Sequence, residues 1–123
     1  MRTDKEKLRT CPTCATPVNE ADLGLRDYTW INDHLPGKVG LMDIDGVLER
    51  KGHVLMLETK PLNGGLPLGQ RITLRTFVKM GAWVWVCWGD KDTIHVGPMD
   101  TRGEVPFTEE MNVAELITRI TDW

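Results

Sequence analysis

Hydrophobic and polar residues alternate from Gly40 to Glu49: in GLMDIDGVLE, Leu41, Asp43, Asp45 and Val47 fall on one side of an extended chain, Met42, Ile44 and Leu48 on the other. The alternation predicts a strand over residues 40–49. An Arg50-Lys51-Gly52 turn signal follows, and HVLMLETK repeats the pattern, with Val54, Met56, Glu58 and Lys60 on one face and Leu55, Leu57 and Thr59 on the other. A hairpin is expected. PLNGGLPLG, residues 61–69, is rich in Pro and Gly and reads as loop. Beyond it Leu74, Phe77, Val78 and Gly81 recur at helical spacing, which predicts a helix with one face on the sheet. Gln70 lies one turn before Leu74, on the packed side at the N-terminal end, while Arg71, Arg75 and Lys79 form a separate basic stripe. AWVWVCW, residues 82–88, is apolar on both faces, as an interior strand is, and TIHVG, residues 93–97, offers a further strand. Asn112 with Glu115 three residues on makes a capping box, and Val113, Leu116, Ile117 and Ile120 give the short amphipathic helix it opens.

Composition bounds what these elements build. A chain of 123 residues that is 41% hydrophobic supports one core, and two full domains are excluded. Charged residues make up 27%, and no apolar run approaches the roughly 18 to 20 residues of a membrane span. The first ten residues, MRTDKEKLRT, are charged and lead into no apolar stretch, so no secretory signal and a cytoplasmic location are expected. Three cysteines in that compartment do not make a disulfide framework. Cys11 and Cys14, in Cys11-Pro12-Thr13-Cys14, have the spacing of one knuckle of a zinc ribbon, half of a Zn²⁺ site whose other ligands are not visible; a plain reduced turn is the competing reading. Residues 1–19 are taken as an N-terminal arm and residues 20–123 as the folded domain.

Fifteen Lys and Arg against eighteen Asp and Glu give a net charge of -3. Proteins that hold DNA by charge alone are usually basic, because counterion release supplies most of their affinity, so any nucleic-acid role here needs a local patch or a metal. The Arg71, Arg75 and Lys79 stripe is the candidate patch, and a solvated helix face is its plainer reading.

Charged side chains are seldom placed on the apolar face of a strand, because burying an unpaired charge costs several kcal/mol. Asp43 and Asp45 end one face of the first strand, and Glu58 and Lys60 end one face of the second. If the strands pair, the carboxylates converge. Clustered hard oxygens suit Mg²⁺ or Mn²⁺, and a lysine beside them can hold a water.

Asp43, then Glu58-Thr59-Lys60, then Gln70 resembles the signature of PD-(D/E)XK nucleases, and more narrowly that of stand-alone VRR-NUC (virus-type replication-repair nuclease) proteins. Gly40-Leu41-Met42-Asp43, the Gly64-Gly65-Leu66 loop and GAWVWV stand where that group has its Asp strand, Gly-rich loop and following strand, over about residues 38–90. Met42 replaces the usual Pro, and Glu20 is the sole candidate for the acid often found on the first helix. The resemblance implies a restriction-endonuclease-like αβββαβ core with a mixed central sheet. Asp43, Glu58 and the Thr59 carbonyl would hold Mg²⁺, Lys60 would position the attacking water, and Gln70 would brace the site. Asp45 stays open as a ligand of a second ion or of outer water. The implied activity is metal-dependent cleavage of DNA, pointing to branched substrates such as four-way junctions. A non-catalytic protein-interaction module on the same fold is the alternative, and RNA as substrate is not excluded.

Trp83, Trp85 and Trp88 are read as core, and Cys87 as packing. His34, His53 and His95 have no ligand spacing among themselves. With no room for a separate DNA-binding domain, a homodimer is expected to supply grip, through the C-terminal helix or the Cys arm.

Overall fold

The computed structural model describes residues 9–10, 17–18, 29–37 and 40–123. The chain divides into two compact units, Met1–Met42 and Asp43–Trp123. Cys11, Cys14 and Glu20 lie outside the described residues.

In the first unit β1 (Arg9–Thr10) pairs antiparallel with β2 (Pro17–Val18), and a 3-10 helix covers Thr29–His34. Asn32 acts as a strand edge in miniature, its Oδ1 accepting from the Leu41 N–H at 2.7 Å.

The second unit is α/β. Its five-stranded mixed sheet runs in the order β3 (Gly46–Arg50), β4 (His53–Lys60), β5 (Trp83–Gly89), β6 (Ile94–Pro98), β7 (Glu109–Met111), and β4 with β5 is the one parallel pair. α1 (Leu68–Lys79) makes the crossover between them, as a parallel connection requires, and α2 (Val113–Asp122) ends the chain. The capping box forms as the spacing predicts: Asn112 Oδ1 accepts from the Glu115 N–H and Glu115 Oε1 from the Asn112 N–H, both at 2.9 Å.

Register assigns the faces. Met56 pairs with Val84 and Glu58 with Val86, so these four share the face that α1 covers, where Leu74, Val84 and Val86 are fully buried. The opposite face carries a second core of Cys87, Ile94, Val96 and Met111, against which Leu57, Trp85 and Leu116 of α2 pack.

Three expectations change. The first strand starts at Gly46 and not at residue 40, because Asp45 Oδ2 accepts the Thr59 N–H at 2.8 Å, the donor that the next rung of a continuing ladder would have used. Gly81 does not extend the packed helix face: its φ of +105° ends α1, and the Ala82 N–H returns to the Phe77 carbonyl at 3.0 Å. Trp83 is not core, being 52% exposed. The short β7 had no signal in the pattern, since two of its residues are Glu109 and Glu110.

Candidate functional site

The site is set by the crossover. In a parallel β–α–β unit the carboxyl ends of both strands and the start of the connecting helix meet at one edge, where ligands of open α/β sheets bind. Here that edge brings together the last residues of β4, the first turn of α1 and Trp88 near the end of β5. Gln70 donates from its Nε2 to Glu58 Oε2 at 2.7 Å, and Lys60 Nζ lies 3.2 Å from the same oxygen. Glu58 is 3% exposed, the only buried charged residue among those described. Trp88 stands opposite Lys60 in the ladder, and its indole Nε1 donates to the Gly64 carbonyl at 2.8 Å, pinning the Pro/Gly loop over this edge.

The hydrogen bonding is incomplete in one direction. Glu58 Oε1 and Gln70 Oε1 are both buried with no donor. The amide cannot relieve this by flipping, because its oxygen would then face the carboxylate. Buried acceptors are nearly always satisfied, and a pair of them beside a carboxylate suits a cation or an ordered water.

The aspartates behave differently from the lysine and the glutamine. Asp45 Oδ2 accepts from both the Thr59 N–H, at 2.8 Å, and the Thr59 hydroxyl, at 2.9 Å, so this carboxylate is committed to fixing the strand end. Asp43 is exposed and precedes β3. Among the described residues no three His, Cys, Asp or Glu side chains group closely enough to hold a metal by themselves. The structure therefore joins Glu58, Lys60 and Gln70, and separately Asp45 with Thr59.

The basic residues of α1 do not form one open stripe. Arg71 and Arg75 are half-buried and Lys79 is exposed. Cys87 is buried and its thiol is pushed up to about 11 by burial, which suits packing and not ligation. A second basic cluster gives no signal of its own, because Arg50, Lys51 and His53 register in the sequence only as a hairpin turn. With Trp83 and Trp123 they line a hollow of about 410 Å³, where Arg50 donates to the Thr121 carbonyl at 2.9 Å and lies 5.8 Å from the Trp123 ring centre. No helix among the described residues is long and apolar enough to cross a membrane.

No protein-family model, curated protein or solved structure matches this chain.

Proposed function

We propose that this protein is a Mg²⁺- or Mn²⁺-dependent DNA nuclease of the PD-(D/E)XK type that hydrolyses phosphodiester bonds, with branched DNA such as four-way junctions as substrate. One observation carries the reading: a buried carboxylate, Glu58, sits at the carboxyl edge of a parallel strand pair, braced by Gln70 and paired with Lys60, while two oxygens of the cluster lack donors. The run β3, β4, α1, β5 supplies the consecutive ββαβ part of the αβββαβ order.

By donor chemistry Asp43, Glu58 and the Thr59 carbonyl would hold a hard divalent cation, and the Asp45 oxygen that Thr59 does not use would reach it through water. Such an ion, when bound, polarises a phosphoryl oxygen and lowers the pKa of a bound water. The chain's own part is positional. Gln70 fixes the Glu58 rotamer through one oxygen and leaves the other for the site. An ammonium has three donors; Lys60 spends one on Glu58 and has two for a water and a phosphate oxygen. Water oxygen then bonds to phosphorus as the ester P–O bond breaks; one water proton passes to solvent and the leaving sugar oxygen takes one up from solvent.

A twofold dimer supplies the grip that a net charge of -3 does not. Exposed Trp83, Phe107, Val113 and Ile117 offer apolar surface for it. The second reading, a non-catalytic interaction module, draws support from the commitment of Asp45 to Thr59 and from the missing three-carboxylate group. Turnover on linear, nicked, flapped and four-way DNA with and without Mg²⁺ separates the two. Mg²⁺-dependent cutting that is lost in Lys60→Ala supports the nuclease, and no cutting of any substrate leaves the module. Light scattering tests the dimer, which should weigh about twice 13.9 kDa.

A further inference from the structure

Beside the Glu58 cluster lies a hollow of about 430 Å³ to which the chemistry above assigns no part. Leu66, Trp88, Val105 and Pro106 give it apolar walls, and Arg71 and Glu104 give it charge. It adjoins the cluster on two sides: Arg71 follows Gln70 on α1, and Trp88 is the ladder neighbour of Lys60, a strand spacing of about 4.8 Å away.

Arg71 is the unusual member. Its Nε is buried without a hydrogen-bond partner, and a buried donor left so costs about 1–3 kcal/mol, so native proteins rarely tolerate one without a use. Asp100, on the facing turn, is already taken, while Glu104 shares the wall of the hollow. Asp100 accepts from the backbone N–H groups of Arg102 and Glu104 and from the Arg102 guanidinium, and Glu104 Oε1 lies 3.8 Å from Arg102 Nε. The turn that carries them is clamped on the helix: Gly103 has φ +83°, and a Cβ there would stand 2.9 Å from Arg71 Cγ and 3.3 Å from Arg75 Cβ. The arginine is thus held in place against the hollow, and its Nε has no acceptor.

Apolar walls around one fixed guanidinium match a nucleotide, whose base is flat and apolar on its faces and whose phosphate is a bidentate partner for arginine. The space suits one small ligand and not a base pair within a duplex. A nucleotide can enter only after unstacking, which costs a few kcal/mol in paired DNA and least where it is already unpaired. We infer that this hollow takes one unpaired nucleotide flanking the cut, its base against Trp88, Leu66 and Pro106 and its phosphate on Arg71, and that this selects DNA with unpaired nucleotides beside the cleaved bond. The nucleotide site rests on the hollow alone, and its place beside a cleaved bond rests on the nuclease reading of the Glu58 cluster.

The test separates those two. In ¹⁵N NMR of the whole chain without metal, the Trp88 indole N–H and the Arg71 Nε–H are direct reporters of the hollow. Millimolar dAMP should shift both saturably, inorganic phosphate should move the Arg71 signal alone and more weakly, and Arg71→Gln should weaken dAMP by about tenfold or more, as expected for one charged hydrogen bond. With Mg²⁺, the rate ratio of flapped to matched linear DNA should fall towards one in Arg71→Gln, with circular dichroism as the folding control. No saturable shift by dAMP, or equal effects of dAMP and phosphate, overturns the nucleotide site even if DNA is cut. Binding of dAMP with no cutting of any DNA leaves a nucleotide pocket and overturns both the nuclease reading and the selectivity built on it.

Discussion

On the α1 face of the sheet Leu74, Val84, Val86 and the charged Glu58 are all buried, whereas on the α2 face Ile117 is 58% and Phe107 of the neighbouring loop 64% exposed. Both helices were legible as amphipathic, yet they do opposite things. α1 covers a carboxylate whose desolvation costs several kcal/mol, a cost that pairing with Lys60 offsets. α2 leaves in water apolar area whose burial would contribute about 25 cal/mol per Å². The difference lies in what each face encloses: the α1 face shuts one charged group inside closed packing, and the α2 face leaves apolar side chains at its rim.

The largest expected effect lies on the α1 face. Glu58→Ala should lower DNA cleavage by about 10²-fold or more, since it removes a metal ligand where even outer partners of a ligand matter by about 10–100-fold, with an unchanged circular dichroism spectrum. Wild-type turnover in that variant would make the two faces equally silent. For stability the contrast is between two leucine-sized deletions. Leu74→Ala should cost about 2–5 kcal/mol in urea unfolding, while Ile117→Ala should stay within about 0.5 kcal/mol in dilute protein. Equal costs would show that α2 is packed as tightly as α1.

Gln70→Ala sharpens the picture within the α1 face. A residue that orients a ligand typically matters by about 10–100-fold, so kcat should fall by that much and the Mg²⁺ needed for half-maximal rate should rise, with KM for DNA little changed. An equal loss in KM alone would make Gln70 a DNA contact and not a brace for Glu58. The smallest effect concerns Cys87, at the closed centre of the α2 face. Its thiol ionises near 9.0 when unfolded and is pushed up to about 11 in the fold, so only the unfolded chain loses the proton between those values. The contribution is complete below pH 9.0 and drains as pH rises towards 11. Urea midpoints measured across that window should decline less steeply in Cys87→Ala; identical slopes would place Cys87 in contact with solvent.

Much of this was written in local periodicity. Alternation placed β4 to the residue, helical spacing placed α1 and α2, and the Asn112 and Glu115 pair announced the cap. Glu58 on an apolar face and Gln70 one turn before Leu74 were legible for the same reason, and they do meet. Alternation places Asp43 and Asp45 as strand residues aimed at Glu58. Alternation cannot register that Asp45 gains more by capping the Thr59 N–H than by extending β3. The buried Arg71 Nε had no signal at all, because it depends on a turn about thirty residues away pressing Gly103 against the helix.

The sequence by itself determined which segments extend or coil and which faces are apolar, because backbone dihedrals and a two- or 3.6-residue period are properties of neighbours in the chain. Tertiary structure alone decided that the two-acid segment Glu109–Met111 is a strand, since only the edge of β6 offers it a ladder. It also decided which carboxylate is buried, which is spent on a strand end, and which arginine is left without a partner. Those outcomes depend on what lies across the sheet, and a donor or an acceptor has no assigned use until its partner's position is fixed.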